Sequence, residues 1–532
     1  MKKLLLIIEI KKKTTFIDSD ILCQIEKSDK ILTLTPYSSY EIDKLNKDYI
    51  TFHDLITITD FKKFNIDIYN ELVDKLNKYK KYYYLLRKVM QFIANEKYND
   101  TILSYLEKMR KENYEIIYIS DSINFKSFLF DKIIIENKKN YLFYKKNYLI
   151  GFKNKVIYNK NIFNKFKNKI ISKKDLNYDN KYYESYFYNY RLKVKTKNNI
   201  NSFVNNLENI LKHFYNNEKE LYSNIKEDYS KEFTNSINTN ILINKPFSFI
   251  SNDKIAIQTE LLKSNKKHVV FFQHGSYLYS GEFTKWCEVL PATINFVCND
   301  FTKKLFIDRG AKNIFSVGSL DFNYKININS QYKYDYLYIT HCTYYLSSGL
   351  YNNNNNEYAS MDGNEIYQRH KAIINLFGTK FKDKKICIKI QPGIMLGTMN
   401  YVPFLELSKN YPNVTIEFSV PIQKLINKSK YIISDYFSSE FINRELHYKR
   451  DIILFKTSPL SLPEETIDDM EKMFILVDTV DELEDKVKNI EAITKNRKRY
   501  DDIIEYYSSK KCDTKKVVTD ILKKELKISA RR

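Results

Sequence analysis

Apolar residues in this chain fall in short runs, separated by longer stretches in which they return at helical spacing. Leu4–Ile10 and Ile31–Leu34 read as strands, Tyr69–Tyr105 as a long helical region, and Tyr114–Asp121 as a strand ending in a polar turn. Alternation on this scale predicts parallel βαβ units. Lys132–Tyr158 breaks the pattern: its β-rich runs between Asn, Lys and Gly turns predict one or two hairpins, and Asn189–Asp228 follows as amphipathic helices. Residues 130–235 are therefore expected to be an insertion. After Pro246 the alternation returns, with strands at Phe247–Ile250, His268–Phe272, Ala292–Cys298 and Ile314–Gly318. Helices are expected at Asp253–Lys263 and Thr302–Arg309, the second closed by Gly310, which suits the left-handed position after a helix.

The polar stretch Asn323–Tyr334 reads as a linker, and a second alternating region follows. Its strands are Tyr336–Thr340, Ile386–Ile390, Val414–Phe418, Tyr431–Ile433 and Ile452–Phe455; its helices are Asn364–Phe377, Ile422–Lys428 and Phe441–His447. From Thr479 to Leu526 the chain is helical and highly charged. With 532 residues, well beyond the size of one core, the chain is expected to be an α/β protein of two main domains. The first spans 1–325 with its insertion, the second 326–478, and charged helices fill 479–532.

Composition adds a partner question. The 87 Lys and Arg against 65 Asp and Glu leave a net charge of +22, which points to an anionic partner. The plainer reading is compositional drift, because Lys, Asn, Ile and Tyr are abundant along the whole chain, with only 10 Gly and 9 Pro. A nucleic-acid binder would gather its charge and aromatics on one surface; here they are spread, so no nucleic-acid partner is expected. The six cysteines are scattered without a CxxC pair and read as reduced thiols of a cytoplasmic protein. The apolar start Leu4–Ile8 is cut by Glu9 and Lys11–Lys13, too short for a signal peptide, and no stretch approaches the ~20 apolar residues of a membrane span.

Candidate chemistry gathers at strand ends, where doubly wound sheets bind ligands. Gln273-His274-Gly275 ends one apolar strand. His274 has a side chain able to titrate near working pH and act as a general base, or it satisfies a strand-end backbone group. Asp435 ends another strand, and Ser438, Ser439 and Glu440 open the next helix. Hydroxyls and free N–H groups at a helix N-terminus suit a phosphate, and the plainer reading of the same residues is an N-cap. Lys389 and Gln391 stand at a third strand end and Thr340 at a fourth. P-loop, GxGxxG, HExxH and GxSxG motifs are missing, no DxD sits at a convincing strand end, and no zinc-type spacing is present.

These residues resemble a family. His268–Leu320 looks like the end of the first domain in certain GT-B glycosyltransferases; Lys389–Gly393 resembles their KxHPG element, Tyr431–Glu440 their ADxxITDYSS element and Asp451–Phe455 their RPVIxF strand. The nearest groups are bacterial surface-polysaccharide transferases of the CDP-glycerol glycerophosphotransferase, capsule Kdo transferase and spirochaete surface-carbohydrate kinds. The resemblance covers roughly 240–460 and implies two facing Rossmann-like domains. It would place Asp435, Ser438 and Ser439 at the donor phosphates; Glu440, Gln391, Lys389 and Thr340 are further donor-side candidates by their own strand-end and helix-start positions. His274 stands at the reaction centre, with Gln273, Gly275 and Gly318 lining the cleft. Gln391 departs from the pattern, since the relatives carry His there.

The expectation is a metal-independent transferase that moves a sugar or polyol-phosphate unit from a nucleotide-activated donor to a glycan or lipid-linked acceptor. The donor is a substrate, and no cofactor is expected. Lys-rich faces and the tail Ala530-Arg531-Arg532 suit an anionic membrane surface, giving a peripheral place on the inner face. The alternatives are a nucleotide-sugar epimerase of the same fold, a non-catalytic scaffold and a basic nucleic-acid-binding protein.

Overall fold

The structure is a computed structural model. The residues it describes are 3–9, 19–56, 60, 101–120 apart from 103, 143–145, 148–150, 241–244, 259, 267–273, 288–319, 332–340, 363–390, 402–435 apart from 418, 450–456, 466–510 and 512–525.

In the first half, β1 (Lys3–Glu9), β2 (Lys30–Thr33) and β3 (Tyr114–Ser120) form a parallel sheet of order β2-β1-β3, with helices α1 (Ser19–Lys27) and α2 (Pro36–Asp43). Thr35 caps α2, its hydroxyl accepting from Ser38 N at 3.2 Å. The strands β4 (Phe143–Lys145) and β5 (Tyr148–Ile150) pair antiparallel within the stretch predicted to hold hairpins. A second parallel sheet runs β6-β7-β8-β9, from β6 (Ile241–Asn244), β7 (His268–Phe272), β8 (Ile294–Val297) and β9 (Ile314–Ser316). Helix α3 (Asp300–Asp308) lies between β8 and β9. Asn299 caps it by accepting from Thr302 N at 2.8 Å, and Gly310, with φ of 94°, follows its end as the sequence predicts.

Among the described residues, then, the first half contains two parallel sheets, where one Rossmann-like domain was expected. The strand paired with β7 is Ile241–Asn244, just before Pro246; the strand expected at Phe247–Ile250 lies outside the described residues, as do 189–228 and 61–100. A four-residue run flanked by Asn carries little pattern of its own, so pairing rather than periodicity reveals it.

The second half is a six-stranded, all-parallel sheet of order β12-β11-β10-β13-β14-β15, made of β10 (Tyr334–Thr340), β11 (Ile386–Ile390), β12 (Val414–Glu417), β13 (Ser429–Ser434), β14 (Ile452–Phe455) and β15 (Ile475–Val477). Its helices are α4 (Gly363–Thr379), α5 (Val402–Ser408), α6 (Ile422–Ile426), α7 (Ile467–Met473), α8 (Val480–Lys488), α9 (Ile490–Asn496), α10 (Asp501–Tyr507) and α11 (Thr514–Glu525). Strands covered on both faces read as unbroken apolar runs. Tyr336, Tyr338, Ile388, Ile433 and Phe455 pack on one face with α4 and α8, whereas Leu337, Ile339, Cys387, Ile432 and Leu454 pack on the other with α6, α7 and α10. Burial pushes the Cys387 thiol up to about 12, which keeps it an inert neutral packing group.

The described helices of the charged stretch after Thr479 are divided between the two halves. Leu483 and Val487 of α8 join the second sheet's core, while Val518 of α11 packs with Val270, Ile294, Phe296 and Val317 of the β6–β9 sheet. Lys510 N donates to Cys298 O at 2.8 Å and Thr514 Oγ1 to Val317 O at 2.8 Å on the way across. Gly318, φ 75°, permits this return: a Cβ there would stand 2.3 Å from Lys510 O. Among the described residues no helix is long and apolar enough to cross a membrane.

Candidate functional site

Numbered from its own first strand, the second sheet has the order 3-2-1-4-5-6, so the winding reverses between β10 and β13. Ligands of doubly wound sheets bind outside the carboxyl ends of the strands at that reversal. Thr340 ends β10, and Asp435 follows the last residue of β13. Ile339 pairs with Ser434 and Tyr338 with Ile433; strand alternation therefore puts Asp435 on the face of Tyr338 and Thr340, beneath α4.

Four side chains meet there. Asp435 Oδ2 accepts from Tyr338 Oη at 2.6 Å and from Thr340 Oγ1 at 3.2 Å, and lies 3.4 Å from His370 Nε2. Thr340 Oγ1 and His370 Nε2 are also hydrogen-bonded. Since the Thr340 hydroxyl donates to Asp435, its oxygen accepts from His370, so Nε2 of the ring carries a proton. The His370 ring sits edge-on to Phe404 at 4.9 Å and to Tyr338 at 5.6 Å. His370 Nδ1 is buried without a hydrogen-bond partner. Asp435 is 1% exposed and both Thr340 and His370 are 2% exposed.

Burial by itself favours the neutral acid. Hydrogen bonding and charge from His370, the charge of Arg369 and the Tyr338 hydroxyl outweigh it and bring the Asp435 carboxyl down to about 2. Tyr338, raised first by burial and then by Asp435, stays a neutral donor. A folded value below the usual 3.8 means the ionised cluster stabilises the fold above that pH and loses this contribution as pH falls towards about 2. The expected size is on the order of 2 kcal/mol. Urea midpoints measured from pH 5 to pH 2 should fall more steeply for the native chain than for Asp435→Asn; parallel curves would show that Asp435 does not titrate this way.

No family model matches the chain, and no curated protein matches it. Among solved structures it is similar to TarM, with 15% identity and a TM-score of 0.32 over 53% of this chain and 54% of TarM. It is also similar to the Methanocaldococcus jannaschii UDP-GlcNAc 2-epimerase in complex with UDP-GlcNAc and UDP, with 16% identity and a TM-score of 0.35 over 57% and 79% of the two chains. A further UDP-N-acetylglucosamine 2-epimerase aligns at 11% identity and a TM-score of 0.33 over 80% and 92%. The chain thus spans about half the length of TarM. The reading of the site rests on strand order and side chains, not on these similarities.

The sequence-expected residues are distributed as follows. Thr340 and Asp435 are together in the buried cluster, where the carboxylate is turned inward and anchors the end of β13. Lys389 pairs with Ile339 in register, so it lies on the opposite face of the sheet from Asp435; it is 6% exposed, with its ammonium lowered by burial and raised by Glu417. Gln273 is also turned inward. Its Oε1 accepts from Cys298 N at 2.8 Å and its Nε2 donates to Thr302 Oγ1 at 3.4 Å, tying the end of β7 to the start of α3. Gly318 packs against Lys510 of the C-terminal return. His274, Gly275, Gln391, Ser438, Ser439 and Glu440 lie outside the described residues. Sequence reasoning missed His370. The signal was present, because a histidine on the apolar stripe of a predicted helix, beside Tyr367, Ile373 and Ile374, needs a polar partner inside.

Proposed function

We propose that the chain is a nucleotide-sugar-dependent glycosyltransferase, or a polyol-phosphate transferase of the same design, acting on a glycan or lipid-linked acceptor. The observation that carries this reading is the reversal of strand order between β10 and β13, with a hydrogen-bonded polar cluster built at the two carboxyl ends. A crevice of this kind takes a nucleotide, and the chain directly after Asp435 supplies the hydroxyls suited to its phosphates, Ser438 and Ser439. Glu440 is suited to ribose hydroxyls, and Gln391 follows the last residue of β11 in the sequence. In this reading Asp435 holds the segment that binds the donor and does not itself touch phosphate.

On the acceptor side, His274 follows Gln273, whose side chain is pinned by two hydrogen bonds. It would take the proton of the acceptor hydroxyl as that oxygen bonds to the anomeric carbon. The bond from this carbon to the diphosphate breaks, and the nucleoside diphosphate leaves with the electron pair. N–H groups at the start of the helix expected from the sequence at Phe441–His447 would stabilise the departing charge, so the scheme requires no metal.

A thermal-shift screen against UDP-, GDP-, CMP- and CDP-linked donors tests the reading. At a hundredfold excess over Kd a ligand confined to the native state adds about 2.7 kcal/mol of stability, a rise of several degrees. One donor class should produce it. A flat response to all four would remove the transferase reading, and release of an epimerised sugar without acceptor would replace it by epimerisation.

A further inference from the structure

Helix α4 carries His370 into the cluster on one side, and on another side it is gripped by the N-terminal sheet. The residues held there, Asn364, Tyr367, Gln368 and Lys371, recur at the spacing of one helical face. Asn364 Oδ1 accepts from Ser39 Oγ at 3.0 Å, and its Nδ2 donates to Thr33 O at 3.2 Å. Gln368 Nε2 donates to Tyr49 Oη. Asp43, at the end of α2, takes two donors on a single oxygen: Tyr367 Oη at 2.7 Å and Lys371 Nζ at 2.8 Å. Tyr367 is fully buried, its ring edge-on to Tyr40, and burial followed by Asp43 raises its hydroxyl so that it remains a donor. Leu6, Ile8, Tyr37 and Tyr40 of the N-terminal sheet unit share one apolar cluster with Tyr336, Tyr338 and Tyr367.

The helix is therefore located from two sides. Its position matters to the cluster because side chains project about 5–6 Å from a helix axis, so a rotation of about 10° displaces His370 by about 1 Å. A shift of that size takes a hydrogen bond out of range.

We propose that Asp43 is a positioning residue: by docking the N-terminal sheet onto Tyr367 and Lys371, it sets the rotation of α4 and thereby the His370–Thr340–Asp435 cluster. The switch-point site of the second sheet is then complete only while the N-terminal unit is docked. Calling that site the donor site rests on the transferase reading; the coupling itself does not.

The test needs no ligand. Asp43→Asn keeps the shape and removes the charge, and Tyr367→Phe keeps the ring and removes the donor, which serves if the first variant folds poorly. Amide exchange of the whole chain is followed at Asp435, whose N–H bonds to Ile339 O, and along α4 and β14. The expected result is exchange at least about tenfold faster at Asp435 and α4, unchanged exchange in β14, and recovery in Asp43→Glu. A second measurement is a double-mutant cycle of Asp43→Asn with Asp435→Asn, two sites that share no bonding partner here. Independent sites multiply in their unfolding constants to within about twofold; the proposal expects a departure of at least about threefold. Native exchange at Asp435 in both single variants, or acceleration spread evenly over the whole sheet, overturns the coupling. Loss of donor-induced thermal shift in the native chain would sink the transferase reading and leave this result standing.

Discussion

Asp435→Ala is expected to lower the stability of the fold by about 3–5 kcal/mol, the cost of removing one partner from a buried charged network. Alanine would leave the Tyr338 and Thr340 hydroxyls without their carboxylate acceptor, and His370 without its anionic neighbour, at a position that is 1% exposed. Each orphaned polar group costs about 1–3 kcal/mol when water cannot replace the partner. The His370 ring is wedged between Phe404 and Tyr338 and cannot turn outward without disturbing both. Asp435→Asn retains an oxygen acceptor of the same shape and should cost less. Urea unfolding of the two variants reads both values, and a loss under about 1 kcal/mol for alanine would show that the cluster is open to solvent or is redundant. The substitution also has a functional reading: it frees the segment after β13, so donor-induced thermal shift should be lost at temperatures where the variant is still folded.

His274→Ala is expected to reduce kcat by about 10²- to 10⁴-fold, the range contributed by a positioned general base. Gln273 is held at both ends of its amide, by Cys298 N and Thr302 Oγ1, so the chain leaves β7 from a fixed point at the carboxyl end of a buried strand. Donor binding should survive, because the proposed donor side lies on the other sheet. Turnover assayed beside donor-induced thermal shift separates the roles: unchanged turnover removes His274 from the chemistry, whereas loss of both readouts makes it a folding or binding residue.

The site was partly legible in the chain. Asp435 and Thr340 were picked out from their strand-end positions, and the sheet does bring those two ends side by side. A strand end predicts where a residue stands and not which way its side chain turns: the Asp435 carboxylate accepts from the Tyr338 and Thr340 hydroxyls. Gln273 illustrates the same limit: a polar residue at a strand end reads as lining a cleft, yet its Oε1 accepts from the Cys298 amide. Lys389 was grouped with Asp435 on sequence grounds, and the register sets them on opposite faces.

What the sequence alone determined is local: most of the strand runs, that Gly310 closes a helix, and that strands and helices alternate in the way parallel sheets require. Those features follow from side-chain chemistry within a few residues of each other. The tertiary structure alone decided the order 3-2-1-4-5-6, the division of the charged C-terminal helices between the two halves, and the arrival of His370 at a carboxylate 65 residues away. The physical reason is that an apolar stripe specifies that a face must be buried but not against which sheet, and a buried polar atom specifies that it needs a partner but not which one.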